Sequence, residues 1–206
     1  EGFTCIKLKI GAIDFKRELE LLRFIRQNFD ASKIEIRVDA NGAFKPDDAL
    51  EKMQQLAQFN LHSIEQPIKA NQVSRMRLLC KNSPFPIALD EELIGVYDIE
   101  SKHELLEKIK PHYIILKPSL IGGFKGTLEW ISVAEKLNIG WWITSALESN
   151  IGLNAITQFT YTLKSNLPQG LGTGGLYTNN FDCPLEISKG QIQYNPSKTW
   201  NIENIT

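Results

Sequence analysis

With 206 residues, 42% of them hydrophobic and 23% charged, the chain can bury one substantial core without disulfide or metal staples. A net charge of −1 and a sequence pI near 6.4, with no Lys/Arg run, give no electrostatic case for nucleic acid or an anionic membrane. The longest apolar stretches are strand-sized, so neither a transmembrane helix nor a signal peptide is expected.

Glu1-Gly2-Phe3 lacks Met and runs into a strand within four residues, which reads as a cut end. The first strand, about 4–10, is followed by Gly11 and a helix over roughly 14–29, where Phe15, Leu19, Leu22, Ile25 and Phe29 recur at helical spacing. The second strand, 34–39, closes on Asp39-Ala40-Asn41-Gly42. A helix near 46–59 follows, opened by Pro46 before Asp47 and Asp48. Strand three, 61–65, ends on Glu65 and meets Pro67, which stops pairing. Next come a helix near 73–81, a strand at 87–90 ending on Asp90, and a helix at roughly 98–109.

Strand five, 113–117, closes on Lys117 and leads through Pro118 to a helix near 124–138. Strand six, 140–145, holds Trp141-Trp142-Ile143 and ends in Thr144-Ser145. A helix at about 149–163 precedes a short strand near 169–172 and the loop Gly172-Thr173-Gly174-Gly175. The tail reads as a hairpin turning at Lys189-Gly190.

Strands and helices alternate without a Gly/Ser linker, and the strands are buried apolar runs, as in a parallel sheet covered on both faces. From Lys9 the strand-end charges follow at steps of 30, 26, 25 and 27 residues, through Asp39, Glu65 and Asp90 to Lys117. Charges at the same end of successive parallel strands converge in space. Seven such units favour a TIM-type (β/α) barrel over an open sheet, whose site sits at one switch point. A closed barrel needs eight strands, so one is missing. The expected division is an incomplete barrel over 1–180 and a hairpin tail over 181–206.

Asp39, Glu65 and Asp90 are three hard oxygen ligands that repel one another unless neutralised. Mg²⁺ is their natural partner, with Mn²⁺ as the other ion such a set accepts. Lys9 and Lys117 flank the carboxylates, and a lysine desolvated in a barrel mouth can act as a base. Metal plus lysine points to proton abstraction beside a substrate carboxylate. Lys7 shares the face of Lys9 and is either a further catalytic group or an ion-pair partner for the carboxylates. Cys5, Cys80 and Cys183 are odd in number and lack ligand spacing, so they fit free thiols in a reducing, cytoplasmic compartment. His62, His103 and His112 are scattered and make no zinc pattern.

Lys7-Leu8-Lys9, Asp39-Ala40-Asn41-Gly42, Glu65-Gln66-Pro67, Leu89-Asp90-Glu91 and Ile115-Leu116-Lys117-Pro118 together resemble the barrel signature of the enolase superfamily, more narrowly its muconate-lactonizing subgroup. Thr144-Ser145-Ala146-Leu147-Glu148-Ser149 and Gly170-Leu171-Gly172-Thr173-Gly174 are most similar to the o-succinylbenzoate synthases within it. The resemblance implies Mg²⁺ on Asp39, Glu65 and Asp90, Lys9 as the base, and Lys117 stabilising the enediolate from the opposite face. It further implies Asn41 and Glu91 as hydrogen-bond partners behind the ligands, and Ser145 and Gly172 lining the site for a small carboxylate substrate. In that superfamily the paired-lysine strand is the second of the barrel, so a first βα unit and an N-terminal capping domain are expected to be needed as well. An open seam between the strands at 4–10 and 169–172 and an exposed apolar patch on the hairpin follow. The alternatives are a racemase or epimerase of N-acylamino acids or dipeptides using the same lysines, and a non-catalytic barrel fragment.

Overall fold

A computed structural model describes residues 2–201; Glu1 and the end of the tail, 202–206, lie outside the described residues. Six parallel strands form one sheet: β1 (Cys5–Lys9), β2 (Glu35–Asp39), β3 (Ser63–Glu65), β4 (Ile87–Leu89), β5 (Tyr113–Leu116) and β6 (Gly140–Ile143). Their order in the sheet is their order in the chain, and the register sets Lys9 beside Asp39 and Asp39 beside Glu65. The helices are α1 (Phe15–Asn28), α2 (Ala49–Leu56), α3 (Val73–Asn82), α4 (Ile99–Ile109), α5 (Gly123–Lys136) and α6 (Asn150–Thr162).

Local chemistry sets several boundaries. Asp14 accepts from the Lys16 and Arg17 amides at the start of α1, satisfying donors that helix N-termini leave free. At the other end, Arg26 donates to the carbonyls of Ile34, Phe59 and Asn60, tying α1 to the loops before β2 and β3. Pro46-Asp47-Asp48 forms a turn ahead of α2, so that helix begins later than the composition suggests.

Strand alternation divides the sheet into two faces. Ile36, Val38, Ile64, Leu89, Ile114, Leu116 and Ile143 pack under the helices with Met53, Met76, Leu106 and Trp130. Ala88, Ile115 and Trp142 form a smaller cluster on the other face, bordered by Tyr113 and Leu167. Arg37 shares that inner space. Its guanidinium lies 4.0 Å over the Trp142 ring, and it donates to Glu35 at 2.7 Å and to the Pro168 carbonyl at 3.1 Å.

The strand expected at 169–172 is reduced to one bridge, between Gly170 and Thr144. Pro168 has no N–H to donate, and Gly170 and Gly172 contribute no side chain to a pleated face, so the ladder stops after the bonds around Gly170. Among the described residues β1 pairs with β2 alone, and between its other edge and 168–172 lies a groove of about 1520 Å³. The hairpin β7 (Leu185–Ser188) and β8 (Gln191–Tyr194) borders this groove. It turns at Lys189-Gly190, both with positive φ, as a two-residue hairpin loop requires. Ile187 and Tyr194 on it are 41% and 69% exposed, in keeping with an apolar hairpin patch.

Candidate active site

Asp39, Glu65 and Asp90 are all nearly completely buried at the C-terminal ends of β2, β3 and β4. Burying three carboxylates costs free energy unless they are paired, and the lysines pair them. Lys7 Nζ lies 3.0 Å from Asp39 Oδ2 and 2.8 Å from Glu65 Oε2. Lys9 Nζ lies 2.6 Å from the same Asp39 oxygen and 2.5 Å from Asn41 Oδ1. On the far side Lys117 donates to Asp90 and lies 3.9 Å from Glu65 Oε1. Lys9 and Lys117 thus flank the carboxylates from β1 and from the end of β5, while Lys7 sits between two of them.

Burial would raise the Asp39 carboxyl, but Lys7 and Lys9 outweigh it and hold it below the ordinary carboxylate range. Burial likewise works against the Lys7 ammonium, yet Glu65 and Asp39 prevail and keep it above the usual lysine value. Glu65 goes the other way. Burial first, then the charges of Asp39 and Asp90, push it up to about 8 against the pull of Lys7. Its Oε1 is buried and accepts no hydrogen bond.

Asn41 has a left-handed φ of 42°, which its short side chain tolerates, and it links two parts of the mouth. Its amide N–H donates to Asp39 Oδ1 at 3.0 Å and its side chain to Glu91 Oε1 at 2.8 Å. Ser145 is buried after β6, accepting from the Leu147 amide and donating to Glu148 Oε2 at 2.8 Å. Gly172 lies apart from the carboxylates, close to Ile187 and Phe3, and lines the same groove as Lys7.

Two polar centres escaped the sequence reading. Glu148 accepts from Ser119 at 2.5 Å and from Ser145, bridging the loops after β5 and β6. Gln66 is fully buried between β3 and β4. Both stood inside quoted motifs, but each also has a partner 24 to 29 residues away, where no spacing rule points.

The donor set fits a hard divalent cation: three carboxylates on adjacent strands, one with a buried oxygen lacking a hydrogen bond and a pKa raised first by burial and then by its acidic neighbours. As placed, the carboxylates do not close a cage. Among the described residues no three His, Cys, Asp or Glu side chains are grouped to hold a metal ion, and ammonium groups stand between them.

A family model described as enolase C-terminal domain-like matches residues 1–197. The chain belongs to that enolase family. An o-succinylbenzoate synthase of Desulfotalea psychrophila is 56% identical over 192 residues, covering 93% of this chain and 52% of that protein. The crystal structure of MenC from the same organism superposes with a TM-score of 0.89 at 54% identity, covering 93% of this chain and 53% of that one. Muconate cycloisomerase of Pseudomonas fluorescens superposes with a TM-score of 0.86 at 27% identity, covering 98% and 56%. The enolase-family chain therefore spans about half the length of the relatives it matches, and its six-stranded sheet is the C-terminal barrel domain of that superfamily. Among the described residues no helix is long and apolar enough to cross a membrane.

Proposed function

We propose that the protein carrying this chain is an o-succinylbenzoate synthase, removing water from a cyclohexadiene carboxylate in menaquinone biosynthesis in the cytoplasm. The observation that carries the proposal is the 56% identity to an enzyme of that name across 93% of the chain. The charged set at the strand ends supports it.

In this reading Asp39, Glu65 and Asp90 hold Mg²⁺ or Mn²⁺. When bound, the ion supplies positive charge beside the substrate carboxylate and makes the neighbouring C–H acidic. Lys9, the most exposed of the three lysines at 60%, takes the α-proton. The electron pair left behind forms a ring double bond as the C–O bond breaks, and the proton held by Lys9 leaves with the hydroxyl as water. Lys117 faces the substrate from the other flank and stabilises the negative charge that develops on its carboxylate oxygens. Lys7 keeps Asp39 ionised, and Asn41 and Glu91 hold the mouth from behind. Ser145 and Gly172 contact the remainder of the substrate.

The domain division fits the same picture. Residues 1–180 form the barrel part, and the hairpin tail over 181–206 packs on an N-terminal capping domain that the full-length protein supplies. The segment joining that domain to this chain brings the first barrel strand into the seam beside β1. A racemase or epimerase would use the same lysines. However, Gly172-Thr173-Gly174-Gly175 offers no carboxylate for a substrate amine, unlike the Asp-x-Asp of dipeptide epimerases.

Turnover of the cyclohexadiene precursor by the full-length protein, with Mg²⁺ and with chelator, tests the proposal. Metal-dependent loss of water is expected. Proton exchange on N-acylamino acids or dipeptides without dehydration would replace it with the racemase reading, and neither activity would leave a non-catalytic barrel.

A further inference from the structure

Gln66 follows Glu65 with a left-handed φ of 38°, which a non-glycine residue adopts only when its surroundings hold it there. It has no solvent exposure, so its amide must find every partner inside the protein. It finds all four that an amide can take. Oε1 accepts from the backbone N–H groups of Asp90 at 3.2 Å and Glu92 at 3.3 Å. Nε2 donates to the Ile68 carbonyl at 3.0 Å and to Glu92 Oε2 at 3.1 Å. Two backbone donors on one end, and a carbonyl and a carboxylate on the other, fix the orientation of the amide without ambiguity.

The backbone of Gln66 is tied as tightly. Its N–H donates to the Ala88 carbonyl at 2.9 Å, and its own carbonyl accepts from Gly42 at 2.7 Å. One residue therefore joins the turn after β2, the end of β3 and the end of β4, the three places from which Asp39, Glu65 and Asp90 project. Glu92 is anchored in turn by the Asn71 amide at 3.0 Å. An amide serving only as a filled core position would not need to connect these three strand ends. Among the described residues only Gln66 holds the backbone of one carboxylate residue, Asp90, through its side chain while adjoining another, Glu65, in the chain.

We propose that Gln66 is a positioning residue that sets the separation of Glu65 and Asp90, and with it the affinity of the strand-end carboxylates for a divalent cation. This rests on the metal reading given above. Outer partners of metal ligands that fix ligand direction typically govern affinity by 10- to 100-fold.

The test is calorimetric titration of the full-length protein with Mg²⁺ alone, on variants whose folding is checked by circular dichroism. Gln66→Glu sets a carboxylate against Glu92 and is expected to weaken Mg²⁺ binding by about 10- to 100-fold. The exchange Gln66→Glu with Glu92→Gln restores one amide facing one carboxylate, while leaving an acceptor oxygen against the Ile68 carbonyl. It is expected to recover part of the lost affinity, which a general loosening of the core would not do. If Gln66→Glu does not fold, Glu92→Leu removes one of the two partners of Nε2 instead, with an expected loss of about tenfold. A folded Gln66→Glu or Glu92→Leu with wild-type affinity, or an exchange that recovers nothing, overturns the inference while the metal reading stands. Absence of Mg²⁺ binding in the wild type overturns the metal reading itself.

Discussion

The mouth formed by the ends of β1 to β5 and the seam between β1 and 168–172 are opposite solutions to one problem. At the mouth, buried carboxylates are matched by ammonium groups and by donors drawn from neighbouring strands, so the charged residues brace one another. At the seam a single bridge at Gly170, one Arg37 bond and a hairpin rim surround a wide groove. Order at the mouth is thus internal to the chain. At the seam, the free edge of β1 and the hairpin face an open groove.

Substitutions separate the two regions by the kind of effect they produce. Lys9→Ala in the full-length protein is expected to lower turnover by about 10²- to 10⁴-fold, the usual worth of a positioned base, while Mg²⁺ affinity stays near wild type. Retained turnover would remove Lys9 from the role of base and leave the mouth as a structural charge cluster. Gly170→Ala acts where the seam meets the end of β6. Its Cβ would stand 2.5 Å from Thr144 Oγ1 and 2.8 Å from Thr144 Cβ, so the one bridge there must shift. A loss of about 1–3 kcal/mol in denaturant unfolding is expected, with metal affinity unchanged. A fall in metal affinity would show the two regions to be coupled.

The smallest effect is a slope. Glu65 has a folded pKa near 8 against an ordinary value of 4.5, so between these values the folded protein binds the extra proton. Metal-free stability therefore decreases as pH rises through that window. Glu65→Gln should flatten the trend when unfolding in chelator is compared at the two ends of the window. An unchanged slope would mean that Glu65 does not hold its proton in the folded protein.

The strand-end charges were legible because each one closes a strand at a nearly constant period of 25 to 30 residues, and a charge recurring at the same end of successive strands stands out in the sequence. Lys189-Gly190 was legible for a different reason, since a two-residue turn needs backbone conformations that few residue types tolerate. The strand expected at 169–172 was not reliable. Leu171 is buried as a strand residue would be, but Pro168 and the two glycines leave too few groups to continue a ladder. Gln66 and Glu148 were hidden for another reason. Their importance lies in hydrogen bonds to segments far along the chain, and a side-chain amide or carboxylate in a motif does not announce which backbone groups it will meet.

The agreement between strand order and chain order bears on how this molecule is made. Every pairing in the main sheet joins consecutive strands, so each loop to be closed is a single strand–helix–strand unit, and short closures favour fast folding. The sheet is expected to grow during synthesis, each unit docking on the one that left the ribosome before it. The bond from Arg37 to Pro168 spans 131 residues and can form only after nearly the whole sheet is in place. Closing that bond does not pair the outer edge of β1, which faces the groove in the finished sheet as well, so its unpaired backbone groups stay open to a passing strand throughout and aggregation should start there.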